Sequence, residues 1–393
     1  MVGAIAVPIL FTVSCSDKST LEEAHGFSNL VLDEGMLFFG AGYKLYLVDM
    51  NRRSAELIYD TNDILISFVQ IDGKRLFFGG HCSPTPRGSS GMVWLFDLDN
   101  MRIVWKQKVK DDWGWGGRIV VPPLIEKEIL IVGTRTALYG INKTNSDIKW
   151  KVEKNWFGGG ELLTPILSSG KLYYGIADGS FGGNESTSNR TIAIADPTSG
   201  KILRKILMPG RLGAIPSIVG DCLFVKDHQY YDRDKSGKLQ WIGMLRLNCL
   251  ELSSGMTRWS FPGSGVPVSS KIRFYKNLIF DVFADRLYAI DEQSGILHWR
   301  SPCLEAAVRN PQIIEDLGVI ALEVPAAKKV VFLDSVTGEP RDEALHDVLS
   351  TPIFVGSEAI YGTTNAITRV DINTGNVIWT IPVNSRYQFV NDD

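Results

Sequence analysis

The sequence is poor in the residues that staple small folds or build metal centres. Five Cys in 393 residues make no disulfide framework. The five His, at positions 25, 81, 228, 298 and 346, are scattered and show no metal-ligand spacing. Charge of one sign is also missing: 41 basic residues against 44 acidic leave a formal charge of −3. That balance gives no electrostatic case for a nucleic-acid binder, whose affinity needs clustered Lys and Arg. There is no hydrophobic run of the roughly 20 residues that a membrane-spanning helix needs. Also absent are a Gly-x-Ser-x-Gly elbow, a Walker loop, the Asp-x-Asp-x-Asp-Gly order of a Ca²⁺ loop and a haem-attachment Cys-x-x-Cys-His. What is present is apolar substance, 45% of the chain, ample for a large core and incompatible with wholesale disorder. By length alone, two or three domains would be expected.

The N-terminal stretch Met1 to Val13 is uncharged and mostly apolar. Its length suits the apolar region of an export signal rather than a spanning helix. Thr12-Val13-Ser14-Cys15 is similar to the bacterial lipoprotein processing box, with Thr12 standing where Leu is usual. Cys15 is therefore a candidate for lipidation, followed by a polar tether, and residues 1–15 are expected to be a signal or lipoprotein segment. An ordinary cleaved signal, or a frayed terminus with a free Cys, is the alternative. Cys222 and Cys249 fall in one repeat unit, but the expected hairpin register does not place them opposite each other, and no disulfide is assigned.

Internal repeats decide the architecture. Leu287 to Trp299 contains an apolar strand, a carboxylate at Asp291, Gly295 four residues later and Trp299 eight residues later. Asp371, Gly375 and Trp379 repeat that spacing, as do Glu251, Gly255 and Trp259. Asp196 and Gly200 keep the turn with Arg204 at the Trp position, and Asp334 and Gly338 keep it with Asp342 there. Asp97 with Trp105 and Asn142 with Trp150 keep the ends but carry Met101 and Ser146 in place of Gly; Asp49 stands with Arg53 and Leu57. The eight anchors lie 37 to 55 residues apart, about 46 on average. Trp is 10 of 393 residues, so eight random positions would hold about 0.2 of them, and these hold five.

An Asp opening a tight turn accepts hydrogen bonds from N–H groups two and three residues on, and Gly supplies the positive φ that closes it. The segments on either side are then antiparallel strands. Two further apolar runs precede each anchor, such as Leu278 to Phe283 before Asp291, with no room for a helix. Four antiparallel strands repeated about every 46 residues form a propeller blade. The fold class expected is all-β, a single eight-bladed β-propeller of four-stranded antiparallel blades over residues 28–382, with a tether at 16–27 and a tail at 383–393.

The Asp-x-x-x-Gly-x-x-x-Trp skeleton resembles the repeats of the pyrroloquinoline-quinone (PQQ) type propellers. The resemblance implies that Trp105, Trp150, Trp259, Trp299 and Trp379 dock adjacent blades. Two occupations occur in that group. Quinoprotein dehydrogenases carry a pair of adjacent Cys beside the cofactor, and no two Cys are adjacent here. The other is the family of the non-catalytic scaffold lipoprotein of bacterial outer-membrane protein assembly, similar in length, blade number and candidate lipidated Cys. The resemblance thus implies a non-enzymatic envelope scaffold of the periplasm or outer membrane with protein partners, no cofactor, no nucleic acid and a lipid anchor as its membrane attachment. A channel enzyme and a secreted sensor or inhibitor module are the alternatives.

Strand parity divides the ring into two faces. With strands A to D in each blade, the A–B and C–D turns share one face, and the B–C loops and D–A crossovers share the other. The Asp-Gly turns make the first face uniform. The second is expected to carry long B–C loops at Gly80 to Met92, Ala177 to Arg190 and Asp227 to Ile242. Three neighbouring crossovers there bear Trp113, Trp115 and Arg118; Trp156, Phe157 and Glu161; and Arg211. Aromatic and Arg anchors on loops favour binding, so these residues are the candidate partner or ligand site. The structural alternative is that the Gly-rich crossovers merely reach the inner strand and the aromatics cap the core. His81-Cys82 and the acidic run Asp227 to Asp234 read as loop segments, and His298 as surface.

Overall fold

A computed structural model describes residues 27–383 except 63, 83–90, 110–118, 120–121, 135–136, 154–163, 177–190, 209–210, 213–215, 234–238, 264–270, 305 and 307. Residues 82, 153, 176, 211–212, 228–233, 239–244 and 342–343 are described by their backbone alone. Cys15 lies outside the described residues. Eight antiparallel sheets follow one another along the chain, seven of four strands and one of five. They are the blades of one eight-bladed all-β propeller.

Burial explains the strand patterns. Strands B and C of each blade sit between two neighbouring blades, so both faces are covered and the sequence runs apolar without alternation. Ile129–Gly133 and Thr191–Ala195 are buried along their whole length. The outer strands D alternate instead, as in Arg102–Val109, where one face packs inward and the other meets solvent. The short inner strands, such as Val31–Asp33 and Leu124–Glu126, are half-buried because one face lines the central channel.

The C–D turns are nearly identical around the ring. Asp49 Oδ1 accepts from the N–H groups of Asn51 and Arg52 at 2.9 Å. Asp97, Asn142, Asp196 and Asp334 accept from the residues two and three on in the same way. Where the repeat has lost its Gly, the backbone has not relaxed: Arg53, Met101 and Ser146 hold φ of 54°, 49° and 66°. Gly200, Gly255, Gly295, Gly338 and Gly375 lie between 68° and 77° at the same position. The turn geometry is therefore kept against the steric preference of L residues.

Every C–D pairing also carries a register shift a few residues beyond the turn. Such a bulge bends the outer strand and re-aims its side chains.

Ring closure uses no strand shared between the first and last blades. The faces of blades 8 and 1 instead share one core, in which Ile360, Ile367, Trp379 and Ile381 meet Phe39, Tyr46 and Val48. Phe27 is wedged into that seam, so close to Gly362 that a Cβ there would lie 2.6 Å from its ring. Polar latches join inner strands as well. Asn29 exchanges two hydrogen bonds with the Val69 backbone, Arg273 donates to the Pro311 carbonyl and Gln312 to that of Pro352.

Two segments differ from the loop readings. His81 is a buried strand residue in Arg75–Cys82, paired with Gly91, so strand B extends into the region expected to be loop. In blade 5, strands B and C run to 12 and 13 residues, Cys222–Arg233 and Leu239–Glu251, and pair as far as Arg233↔Leu239. The segment 227–242 is thus largely a hairpin arm. Asp227 is not a solvated loop carboxylate: it is fully buried and accepts two 3.0 Å hydrogen bonds from Arg246. The charged and Gly-containing run 232–238 interrupts the apolar pattern between the two strands, so the segment resembles a loop in sequence.

Candidate functional site

The blade junctions are the best-defined sites. Trp150 lies between two glycines, and a Cβ on Gly140 of its own blade would meet its ring at 2.1 Å. A Cβ on Gly200, in the next blade's turn, would meet it at 2.7 Å. Its indole Nε1 donates to the Pro197 carbonyl at 3.0 Å, also in that turn. Trp105 donates to the Lys143 carbonyl and Trp259 to that of Glu292, each across a junction. Trp259 covers Gly295 and Trp299 covers Gly338, with Cβ approaches of 2.6 and 2.3 Å. Trp379 packs with Val48 and Met50 of blade 1.

The other three junctions use different contacts. Arg204 reaches across to the carbonyls of Leu252 and Ser253, so a guanidinium replaces the indole. Leu57 is 45% exposed, and the blade 1–2 junction is packed two residues later by Tyr59 on Phe78 at 5.6 Å. Between blades 7 and 8, no described residue lies within 4 Å of a Cβ built on Gly375. That junction rests on Phe332, Leu345 and Tyr361 in a shared core.

The two ring faces differ as strand parity requires. On the turn face all connections are short. On the opposite face, tight B–C turns in blades 1, 6, 7 and 8 contrast with the longer connections leaving strands B of blades 2 and 4 and with the hairpin arm of blade 5. The crossovers between blades 2 and 6 also leave on this side. Trp113, Trp115, Arg118, Trp156, Phe157 and Glu161 lie outside the described residues. Arg211 is placed by its backbone alone, in a two-residue strand pairing with His228 and Asp227. His298 is exposed on its outer strand.

Sequence reasoning missed the buried polar groups of blades 5 and 6. Lys226 Nζ contacts Asp281 Oδ1 at 2.7 Å and the Val282 carbonyl at 2.9 Å, with both side chains fully buried. Burial pushes the Asp281 carboxyl upward, opposed by the Lys226 charge. Asp281 Oδ2 has no hydrogen-bond partner among the described residues. No periodic signal marks this pair, because its members lie in different repeats. The channel side holds a cavity of about 380 Å³ lined by residues of blades 1, 7 and 8, among them Asn29, Gln312, Thr351 and Phe354. Among the described residues no group of three or more His, Cys, Asp or Glu is placed to hold a metal ion. No helix among them is long and apolar enough to cross a membrane.

Residues 243–392, from strand C of blade 5 onward, match the family model described as outer membrane protein assembly factor BamB. Over that segment the β-propeller resembles BamB and its PQQ-like repeats. No curated protein sequence matches the chain. Among solved structures, BamB from Moraxella catarrhalis superposes with a TM-score of 0.60 at 14% identity, covering 85% of this chain and 93% of that one. The computationally designed Ika8 protein superposes with a TM-score of 0.59 at 10% identity, covering 92% and 97%. The dihydro-heme d1 dehydrogenase NirN, in complex with DHE, gives 0.60 at 13% identity, covering 91% and 74%. At these identities the likeness is one of fold, and that fold carries an assembly factor, a designed protein and a dehydrogenase alike.

Proposed function

We propose that the protein is a non-enzymatic scaffold of the bacterial cell envelope that binds protein partners through its B–C and D–A loop face, in outer-membrane protein assembly. The observation that carries this reading is the match of residues 243–392 to the BamB family model. The division of the ring supports it. The turn face is repetitive and tightly hydrogen bonded, whereas the long connections gather on the opposite face between blades 2 and 6. A rigid ring presenting one variable face is suited to recognition, since the frame needs no ordering on binding. The residues proposed to anchor the partner are Trp113, Trp115, Arg118, Trp156, Phe157, Glu161 and Arg211, with Cys15 as the lipid-bearing residue holding the ring at the membrane.

In-cell crosslinking with mass spectrometry tests the reading. It should recover components of an outer-membrane assembly complex, and the combined Trp115→Ala, Trp156→Ala and Arg211→Ala variant should lose most of that recovery while keeping its β-sheet circular dichroism. Undiminished recovery would remove the proposed face. Dye reduction supported by a quinone, with no assembly components recovered, would favour an enzyme instead. Labelling with a palmitate analogue, lost in Cys15→Ala, tests the anchor.

A further inference from the structure

We propose that Cys222 and Cys249 are a reversible dithiol–disulfide pair, a redox-responsive modification site beneath Trp259 at the junction of blades 5 and 6. This does not depend on the scaffold reading.

The ladder pairs Cys222 with Glu251 and Phe224 with Cys249. The two cysteines are therefore diagonal neighbours on adjacent strands and share a face. That face is turned toward blade 6, because both belong to one core cluster with Tyr288 and Ile290. Both are free thiols. Membership of that one cluster, on neighbouring strands, sets the two side chains near each other without a strand exchange. Closing a bridge between diagonal neighbours requires some shear of the ladder. That ladder keeps its register from Cys222 to Gln229, and the shift between Cys249 and Leu250 lies in the pairing with the outer strand.

The two thiols have different surroundings, as attacking and resolving thiols should. Cys222 sits at the edge of the turn face, where Arg258 Nη1 donates to its sulfur at 3.0 Å. The thiolate is the nucleophile in disulfide exchange. Cys222 Sγ faces Asp221 Oδ1 at 3.6 Å. Asp221 and Glu251 also hold the same guanidinium in place. Cys249 lies deeper, 1% exposed, and burial keeps its thiol protonated.

The oxidant is a low-molecular-weight disulfide. The Cys222 thiolate attacks one of its sulfurs, breaking that S–S bond and releasing one thiolate, to leave a mixed disulfide on Cys222. Cys249 then gives up its proton, attacks the Cys222 sulfur and displaces the second thiol. Two protein thiols are oxidised to one disulfide, and one external disulfide is reduced to two thiols. The Cys249 strand pairs directly with Trp259, so the bridge forms under the residue that docks blade 5 on blade 6.

The full chain, reduced and then exposed to oxidised glutathione, should give on peptide mapping a Cys222–Cys249 link with the loss of two hydrogens. Cys249→Ser should stop at a glutathione adduct on Cys222, and Cys222→Ser should leave Cys249 unmodified. Arg258→Ala should slow the reaction several-fold. Oxidation should quench tryptophan emission in the wild type and much less in Trp259→Phe. Recovery of the link in protein as purified also supports the pair. Adducts confined to Cys303, or a wild-type reaction that ends at the mixed disulfide, would overturn it.

Discussion

Two glycines of the ring share a backbone conformation but not a neighbour, and the difference between them measures what a docking Trp contributes. Gly200 and Gly375 both close a C–D turn with φ of 68°. Replacing either with Ala puts a Cβ in the left-handed region, at a cost of roughly 1–2 kcal/mol. At Gly375 that is the expected effect, since no described residue lies within 4 Å of the new atom. At Gly200 the new Cβ would lie 2.7 Å from the Trp150 ring. Trp150 has nowhere to retreat, because Gly140 behind it already admits the ring only for want of its own Cβ. Overpacking of this kind costs a further ~1–3 kcal/mol. Urea unfolding of the two variants, followed by circular dichroism, should therefore place Gly200→Ala below Gly375→Ala in stability by about that second figure. Adding Trp150→Leu to Gly200→Ala should shrink the gap, because the two substitutions share one contact. Equal losses at the two glycines would show that the Trp is not confined between blades and would refute the docking argument.

Two other perturbations test the electrostatics. Lys226→Met should destabilise the ring by roughly 3–5 kcal/mol by stranding a buried carboxylate, and Lys226→Met with Asp281→Leu should recover much of it; urea midpoints of the single and double variants decide this. Asp196 is held down to about 2 by hydrogen bonds from the Thr198 hydroxyl and the Ser199 N–H and hydroxyl. Its unfolded value is about 3.9, so the turn's contribution is present above about pH 4 and is lost as pH falls toward 2. Asp196→Asn, which copies the natural Asn142 of blade 3, should flatten that part of the acid-melting profile, and an unchanged profile would contradict the assignment.

What could be read from the sequence was whatever the fold repeats. The Asp anchors, the turn and the Trp spacing recur because every blade must solve the same closure and docking problem, so eight noisy copies reinforce one signal. The same averaging conceals departures. Nothing in the identities of Arg53, Met101 or Ser146 announces a positive φ, yet the hydrogen-bonded turn imposes it. The Lys226–Asp281 pair joins two blades and occurs once, so no period could expose it. The hairpin arm of blade 5 was invisible for the opposite reason, since the charged run 232–238 breaks the apolar pattern that makes a strand legible. The candidate site was legible only as loops whose length and aromatic content depart from the repeat.

Junction chemistry and face chemistry are consequently separable in this ring. Five junctions rest on an indole, one on a guanidinium and two on displaced aromatic or aliphatic contacts, yet the C–D turn keeps the same backbone throughout. A turn preserved even where its Gly has been replaced is constrained by the closed ring rather than by its own residues, because relaxing one turn would open a seam whose faces have no other cover. The closed frame therefore tolerates variation at single junctions, and it leaves the connections of the opposite face free to vary in length without altering blade spacing. Blade 5 shows that freedom at its extreme. Its arm extends to the Arg233↔Leu239 pair while its Cys249↔Trp259 register still matches the Gly140↔Trp150 pairing of blade 3.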